Sequence, residues 1–465
     1  MAAAAVVVAA AVGLASVLGR APAVGAVQNI VSFGAVANDT SQGAALANGR
    51  AVYAAMMAAQ AGSGDNRTVW VPPGGVYSML PAADMYNITD TVLVIDGVLS
   101  ALTTNLSWWP NNSVTGAALD LLCINWCNNV TISGSGTVEG NGYWWWWYVI
   151  VSGHDNRPDL LNMAVCSNVD ISGVTWRNSP MYHIFLADMA TVRVHDFTVW
   201  VDVEEQRALL DGAGHLTRSG DGSGLPAGIP TFPLNTDGVD VSGRDVIVSN
   251  LTIQNFDDAV AVKPIDGRGV LATCSSDMLI TDIHVIFGVG MTIGSVPPTL
   301  WNNCVRNITF QNVFFDMPLK GVYVKTNPGV LGSGIIDSVT YRNLYAVSPL
   351  WWGIYIGPQQ QSQPGGFSTG CSFLYPLPNT TCPTQPLVPI TNIAIINATF
   401  VDALLSPGIL LCNATVPCTG WTWTNVTSTS VTNWPVTDGF LCTAVEGMNI
   451  TNSSPVPACA GQQSF

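Results

Sequence analysis

Two short acidic motifs in the second half of the chain carry the residues best suited to chemistry: NTDG at 235–238 and NFDD at 255–258. Each motif directly precedes an alternating apolar run typical of a β-strand, GVDVSG after the first and AVAVK after the second. This spacing places Asp237, Asp257 and Asp258 at corresponding points of two successive strands. Three crowded carboxylates destabilise a fold unless chemistry or a metal ion requires them. The arrangement favours acid/base work on a glycosidic bond.

A repeated strand pattern is the element that must position these acids. Alternating apolar residues followed by Asn, Asp or Gly recur in nine copies, mostly 23–32 residues apart with two gaps of 54. The copies begin at residues 129, 168, 191, 245, 277, 307, 338, 392 and 421. Repeats of this length without intervening helical periodicity indicate a solenoid. The sequence therefore predicts an all-β, single-domain chain: a parallel β-helix whose coils stack about 4.8 Å apart.

The polar residue that closes each copy is often Asn, and two interpretations of it are open. Stacked amides inside the solenoid would satisfy one another as a ladder. However, Asn250, Asn397 and Asn425 also begin N-x-S/T glycosylation acceptors, which must be exposed. We prefer turns, because Asn, Asp and Gly tolerate left-handed backbone.

Aligning the repeats gives a register for the acids. Asp257 falls beside Val289, Asp258 beside Gly290 and Asp237 beside Asp258, while Lys320 falls beside Val289. In this register Asp237 and Asp258 share a water molecule and activate it as a general base. Apolar surroundings raise the pKa of Asp257 and keep it protonated as a general acid. Inverting glycosidases divide the work in this way.

A structural role for the three acids is the alternative. They would then close turns or bind Ca²⁺, since three neighbouring carboxylates suit calcium. We expect no metal ion and no cofactor.

Charge is distributed unevenly. The net charge of −15 argues against nucleic acid as a partner. Only three lysines occur, and all of them follow the acidic motifs: Lys263, Lys320 and Lys325. These cations are candidates to hold an anionic substrate, unless their clustering is chance in a lysine-poor chain.

The N-terminus and the cysteines indicate secretion. Residues 1–26 are expected to be a signal peptide, with an uncleaved anchor as the alternative, and residues 27–465 the β-helix domain. Within it, 27–110 are expected to form an N-terminal cap and the first coils, and 203–233 and 357–390 to form loops walling a cleft. Fourteen glycosylation acceptors and eleven cysteines fit an oxidising compartment. The expected disulfides are Cys123–Cys127, Cys412–Cys418 and Cys371–Cys382, and an odd count leaves one free thiol.

A run of four tryptophans, Trp144–Trp147, has two interpretations. Aromatic faces stack on sugars, so the run is a candidate carbohydrate platform. Packing is favoured, because alternate members of a strand would point into the core.

Four segments around the acids resemble the polygalacturonase family, glycoside hydrolase family 28: NTDGVD at 235–240, NFDDAVAVK at 255–263, GVGMTIGSV at 288–296 and GVYVKT at 321–326. The resemblance extends in order over roughly residues 29–430. It implies a right-handed parallel β-helix that hydrolyses pectic polysaccharide with inversion. It further implies Asp257 as general acid, Asp237 and Asp258 as the water-activating pair, and Asn235 as a supporting residue.

The chain departs from the family pattern at two positions. The family usually has Gly-His-Gly where this chain has Val289 between two glycines, and Arg-Ile-Lys where it has Tyr323-Val324-Lys325. In the family the His tunes the acid, and the Arg and Lys hold a galacturonate carboxylate. Lys325 and Tyr323 are thus the expected substrate contacts, and Lys320 is a candidate replacement cation. Family members acting on rhamnogalacturonan-type backbones also lack parts of this set.

Three functions compete on this fold. We expect a secreted, monomeric glycoside hydrolase acting on pectic polysaccharide, with no membrane segment after processing. A calcium-dependent polysaccharide lyase would need Arg306 or Lys263 as its base. A non-catalytic carbohydrate-binding or wall protein would bind sugar without turnover, since the family His and Arg are replaced.

Overall fold

The computed structural model describes residues 27–212, 233–265, 269–301, 303–360, 382–432 and 439–461. The predicted signal peptide and parts of both predicted loops lie outside the described residues. None of the helices in the described part of the chain has the length and apolar character needed to span a lipid bilayer.

The described residues form twenty-eight strands joined in one sheet. The first nine are β1 (Gln28–Asn29), β2 (Thr68–Val71), β3 (Val76–Met79), β4 (Met85–Tyr86), β5 (Thr89–Ile95), β6 (Val98–Ala101), β7 (Leu122–Asn125), β8 (Asn128–Ser133) and β9 (Thr137–Glu139). The next nine are β10 (Leu161–Ala164), β11 (Ser167–Ser172), β12 (Thr175–Arg177), β13 (Ile184–Trp200), β14 (Val239–Gln254), β15 (Val260–Val262), β16 (Ser275–Phe287), β17 (Met291–Val296) and β18 (Asn303–Phe315). The last ten are β19 (Lys320–Thr326), β20 (Gly334–Val347), β21 (Trp352–Gln359), β22 (Ile390–Ala403), β23 (Gly408–Leu411), β24 (Cys418–Thr419), β25 (Thr422–Ser430), β26 (Leu441–Thr443), β27 (Val445–Glu446) and β28 (Asn449–Thr451).

Successive coils pair in parallel and in register, so the core is a set of stacked apolar rows. In one row Val246 pairs with Met278, Met278 with Ile308 and Ile308 with Val339, and all four are buried. Two residues along the strands, the rings of Phe310 and Tyr341 stack with centroids 4.9 Å apart. The alternation seen in the sequence is therefore the inside–outside alternation of a parallel β-helix, and the predicted fold is confirmed.

The corners between strands carry the Asn residues of the repeat, in left-handed backbone as predicted; Asn312 has φ of 53° and Asn425 of 55°. The same side chains also form a ladder, on the outside of the coils and not in the interior. Nδ2 of Asn343 donates to Oδ1 of Asn312 at 3.0 Å, and Nδ2 of Asn425 donates to Oδ1 of Asn397 at 3.0 Å. The turn and the ladder are thus two properties of one exposed row.

Three α-helices interrupt the strands in the part of the chain that the structure describes: α1 (Gln42–Ala61), α2 (Tyr143–Ser152) and α3 (Val203–Gly212). Short 3₁₀ turns cover Ile30–Phe33, Gly64–Arg67, Leu106–Trp108 and Ala458–Gly461. Ser41 begins α1, because its hydroxyl accepts the amide hydrogen of Ala44. The buried face of α1, including Ala45, Ala55 and Met56, packs near β3 in the predicted cap region.

The four tryptophans lie in α2, so their placement in a strand is wrong. Trp145 and Trp146 are buried, and Trp146 Nε1 donates to the carbonyl oxygens of Ser179 and Pro180 at 3.1 Å. Four consecutive aromatic residues carry neither a two-residue nor a helical period, which is why the pattern misled. Packing is confirmed for these two members of the run.

Two of the four described disulfides join adjacent coils, at sequence separations of 39 and 30 residues. The described bridges are Cys127–Cys166, Cys274–Cys304, Cys412–Cys418 and Cys442–Cys459. The predicted Cys412–Cys418 bridge is confirmed, whereas Cys123–Cys127 is wrong because Cys123 is a buried free thiol. Cys382 is disulfide-bonded, but Cys371 lies outside the described residues.

Candidate active site

One row across the β-helix surface brings the predicted acids together. Strand pairing aligns Ile184, Val239, Val260, Met291 and Val322 in successive coils. The residues two places earlier therefore share one position: Tyr182, Asp237, Asp258, Val289 and Lys320. Asp237 lies level with Asp258, as predicted.

The predicted register is one residue wrong at the next coil. Val289 lies level with Asp258, and it contacts Asp257 through a backbone hydrogen bond in which its N–H donates to the Asp257 carbonyl oxygen at 2.8 Å. Despite this shift, carboxylate oxygens of Asp237, Asp257 and Asp258 all lie within 4.8 Å of one another.

Asp258 is the acid with the strongest positive surroundings. Lys325 Nζ donates to its Oδ2 at 2.9 Å, Thr292 Oγ1 donates to its Oδ1 at 2.7 Å, and Lys263 Nζ lies 3.8 Å from Oδ2. Burial alone would raise the pKa of Asp258. The ammoniums of Lys325 and Lys263 outweigh burial and hold that pKa below its ordinary value.

Within the described residues, the Asp257 carboxylate accepts three hydrogen bonds, one at Oδ1 and two at Oδ2. The Asp258 N–H donates to its Oδ1 at 2.9 Å. The backbone N–H and Nδ2 of Asn235 approach its Oδ2 at 3.1 and 3.5 Å. Burial, followed by the charge of Asp258, nevertheless raises the pKa of Asp257 above its ordinary value. The described hydrogen-bond partners of the Asp257 carboxyl are all donors, and the carboxylates of Asp237 and Asp258 are acceptors nearby, with oxygens within 4.8 Å.

Asp237 is buried between other acids. Burial first, then the charges of Asp240 and Asp257, raise its pKa well above the ordinary value, although Lys263 Nζ lies 3.7 Å from its Oδ2. The three predicted catalytic acids thus occupy three different electrostatic environments.

Two buried polar residues that hold the acids in place, Asp240 and Asn255, were not identified from the sequence. Asp240 is buried and forms an ion pair with Lys263 at 3.0 Å, and burial raises its pKa to about 6 although Lys263 opposes the change. Asn255 donates from Nδ2 to the carbonyl oxygens of Thr236 and Asp258 at 3.0 and 2.8 Å. It therefore fixes the two acidic turns against each other. Both lie within the motifs at 235–240 and 255–263, so their polar character was a visible signal.

A cleft of about 250 Å³ opens over these acids. Its lining contains five of the seven predicted site residues, further polar side chains and one methionine: Asp155, Met181, Tyr182, Asn235, Asp237, Asp257, Asp258, Lys263, Ser295, Lys325 and Gln360. Carboxylates and ammoniums together in a polar cleft suit general acid–base catalysis, in which a proton is transferred to or from the reacting group of a polar substrate.

Lys320 and Tyr323, the other two predicted contacts, do not line this cleft. Lys320 is 1% exposed, with Nζ 3.8 Å from the ring centroid of Tyr323 and 4.3 Å from that of Tyr355. Burial and the like charge of Lys325 lower the pKa of Lys320 well below its ordinary value. Tyr323 is 3% exposed and packs in an apolar cluster with Val289 and Trp352. Contact of either residue with a sugar stays a prediction.

The three acids also have a geometry that a cation could use, since one oxygen from each lies within 4.8 Å of the others. Two ammoniums, Lys325 and Lys263, already lie within 4 Å of these carboxylates. Their positive charge would repel a divalent ion, so this set of groups does not fit calcium well.

His183 is fully buried behind the acids and does not line the cleft. The Ser179 N–H donates to its Nε2 at 3.3 Å, so Nδ1 carries the proton and donates to the Asp237 carbonyl oxygen at 3.0 Å. Burial lowers the pKa of His183 to about 4. This neutral imidazole supports the turn that carries Asp237.

Residues 90–447 match the family described as "Glycosyl hydrolases family 28". The chain belongs to this family. Similar relatives include a probable endo-xylogalacturonan hydrolase A of Aspergillus fumigatus, 24% identical over 62% of this chain and 63% of the relative. A probable polygalacturonase of Arabidopsis thaliana is 23% identical over 68% of this chain and 58% of the relative. Each match thus spans less than two thirds of the relative's length.

Two solved structures share the fold of this chain. The endo-xylogalacturonan hydrolase of Aspergillus tubingensis aligns with a TM-score of 0.59 at 16% identity, covering 94% of this chain and 98% of that one. The family 28 exopolygalacturonase of Yersinia enterocolitica aligns with a TM-score of 0.61 at 15% identity, covering 93% and 76%. At such identities the likeness concerns the fold of the family 28 chain, and its chemistry must be argued from its own residues.

Proposed function

We propose that this family 28 protein is a secreted glycoside hydrolase that cleaves pectic polysaccharide. Asp257 serves as the general acid, and Asp237 and Asp258 activate the attacking water. The observation that carries this proposal is the meeting of three carboxylates in different electrostatic environments at the bottom of one cleft. Pairs of carboxyl groups whose surroundings push their pKa values apart are typical of acid/base assignments.

The acid role of Asp257 rests on its hydrogen bonds and its raised pKa. The described groups that hydrogen-bond to its carboxyl are donors, so they leave a proton held there available to an acceptor on the substrate. That acceptor is the glycosidic oxygen, which leaves with the proton as its bond to the anomeric carbon breaks. The same donors then stabilise the carboxylate that remains.

The base role falls mainly on Asp258. Its ion pair with Lys325 keeps it ionised, so it accepts a proton from the water whose oxygen bonds to the anomeric carbon. Asp237 lies level with it and orients the same water. Since the acids interact strongly, their protons belong to the group, and a measured pH profile reports values for the set.

Inversion is the finer part of the proposal and comes from the family pattern. Inverting pairs usually lie about 6.5–9.5 Å apart, whereas oxygens of these acids come within 4.8 Å. Proton NMR of the first product therefore tests it directly. We expect the anomeric configuration to be opposite to that of the cleaved linkage, and a retained configuration would require a nucleophilic carboxylate instead.

Pectic polysaccharide is proposed as substrate because relatives of this chain carry the names endo-xylogalacturonan hydrolase and polygalacturonase. The test is release of reducing ends from homogalacturonan, rhamnogalacturonan and xylogalacturonan, with the Asp257→Asn variant as the blank. Release by the wild type on at least one backbone, abolished in the variant, supports the proposal. No release on any backbone would overturn it in favour of a binding protein, and an unsaturated, ultraviolet-absorbing product would indicate a lyase.

A further inference from the structure

Arg157 is a buried cation that the proposed chemistry does not use. It lies four residues before β10, and its side chain is 2% exposed. Its Nε and Nη2 donate to the two oxygens of Asp155, each at 2.8 Å. Its Nη1 donates to the carbonyl oxygens of Pro180, at 3.2 Å, and Leu234. The guanidinium therefore joins segments from three successive coils.

The last contact of this guanidinium leads to the active site. Arg157 Nη2 donates to Oδ1 of Asn235 at 3.1 Å. Arginine has no acceptor, so only the oxygen end of the amide satisfies it. The Nδ2 end of Asn235 must then point away, and it lies 3.5 Å from Oδ2 of Asp257.

The backbone of Asn235 is held by the same arrangement. Asn235 has φ of 59°, a left-handed conformation, and its N–H donates to Asp257 Oδ2 at 3.1 Å. The bond from Arg157 to the carbonyl oxygen of Leu234 fixes the peptide group that supplies this N–H. One side chain thereby sets both donors that Asn235 presents to the acid.

We propose that Arg157 is a positioning residue that orients Asn235 against Asp257 and so places the proton donor of the reaction. This inference rests on the proposed function for its catalytic meaning, but its geometric part stands apart from it. A planar guanidinium with five donors is needed to reach Asp155, two carbonyl oxygens and Asn235 together. A lysine ammonium has three donors and no fixed fork.

A double-mutant cycle tests the route through Asn235. Since a misplacement of about 1 Å costs roughly 100-fold in rate, we expect Arg157→Met and Asn235→Ala each to lower kcat about 100-fold. If Arg157 acts through Asn235, the kcat of the double variant is only slightly lower than that of the less active single variant. A fall of about 10⁴-fold, the product of two independent effects, would overturn the proposal. The kcat of Arg157→Lys is expected to lie between those of the wild type and Arg157→Met. This variant replaces Arg157→Met in the cycle if Arg157→Met does not fold.

The pH profile gives a readout that loss of stability alone would not move. Both single variants remove donors from the ionised form of Asp257, so the basic limb of kcat/KM should move to higher pH in each. An unmoved limb in both would contradict the proposal. Arg67→Met is the matched control, because Arg67 also binds one aspartate, Asp90, and two carbonyl oxygens, far along the chain from the acids. It should leave both kcat and the limb as in wild type.

Crystal structures of wild type and Arg157→Met separate this inference from the proposed function. If the wild type cleaves no pectic backbone, the proposed function fails, and the structures alone decide the geometric part. Displacement of Nδ2 of Asn235 from Asp257 in the variant would support it. An Asn235 and Asp257 that superpose on the wild type would overturn it.

Discussion

Lys325 Nζ lies 2.9 Å from Oδ2 of Asp258, and the two residues are 67 positions apart in the sequence. Both side chains are buried, at 7% and 0% exposure. The stacking of coils makes this contact, since β19, which carries Lys325, and β15, which begins two residues after Asp258, are both paired to β17 between them. The pair keeps one member of the acidic trio ionised beside two carboxyls whose pKa values are raised.

Breaking this pair should destabilise the protein. We expect Lys325→Met to lower the free energy of unfolding by about 3–5 kcal/mol, because a buried carboxylate loses its hydrogen-bonded partner. Urea unfolding of wild type and variant measures the change. The control is Arg244→Met, which removes the half-exposed ion pair with Asp245 and should cost less than about 1 kcal/mol. Equal losses from the two variants would contradict the electrostatic role of Lys325.

Asp257→Asn should abolish hydrolysis while preserving the fold. A positioned general acid contributes about 10²–10⁴-fold in rate, and an amide supplies no proton to the leaving oxygen. Reducing-end release measures activity, and thermal unfolding checks the fold. Asp245→Asn is the matched control, since Asp245 is exposed in a left-handed turn that Asn also tolerates. Retained activity in Asp257→Asn would refute the acid assignment.

The repeat pattern was enough to predict the fold and the meeting of the acids. Alternation with period two fixes which residues face outward, and equal motif spacing places Asp237 level with Asp258. The disulfides between adjacent coils were missed because cysteines were paired by nearness in sequence, whereas the length of one coil decides which cysteines meet. Cys127 and Cys166 are 39 residues apart, the same offset as the paired residues Asn128 and Ser167. That match of spacings was available in the sequence.

Contacts that depend on side-chain reach could not be predicted in the same way. Arg157 meets Asn235 across 78 residues, and the repeat pattern does not cover either of them. Lys320 was placed beside Val289 correctly, but its burial under the rings of Tyr323 and Tyr355 depends on how large side chains fill the outer face. Register is encoded by the alternation, whereas this packing is not.

Acid should destabilise the fold partly through His183. Its pKa is about 4 in the folded protein and near 6.5 when unfolded, so the unfolded state binds more protons between these values. Stability from this residue is complete above pH 6.5 and is lost as the pH falls towards 4, by about 3 kcal/mol in all. Guanidinium unfolding measures the free energy of unfolding at pH 7 and at pH 4.5. The difference between the two values should be smaller for His183→Gln than for the wild type. His154→Gln, at an exposed position, is the control. If the free energy of unfolding changed by the same amount between pH 7 and pH 4.5 in both variants, this account would be contradicted.

Chelation should not affect the proposed hydrolysis. Because Lys325 and Lys263 already supply positive charge to the acids, we expect EDTA followed by dialysis to leave activity unchanged and added Ca²⁺ to produce no gain. The measurement is initial rate on the best pectic substrate. Strict dependence on Ca²⁺ would favour the lyase alternative and sink the hydrolytic assignment of the trio.

Restoring the family His alone should not produce strong activity on homogalacturonan. Val289 is buried in an apolar cluster with Leu319 and Tyr323, so Val289→His introduces a polar ring without supplying the missing Arg charge. Rates on homogalacturonan and xylogalacturonan, compared with wild type and with Val289→Leu as the apolar control, measure the effect. A large gain on homogalacturonan from this single change would show that Tyr323 does not limit substrate choice.

In the exposed Asn row at the corners, each rung is a hydrogen bond between the side-chain amides of two adjacent coils. Asn425 donates to Asn397 and accepts from Asn452, and these are its two rungs among the described residues. Replacing one such amide therefore severs two rungs and leaves those beyond them intact. Damage to this outer row stays local, so the corner residues are free to change one at a time during evolution while the acids of the cleft keep their positions.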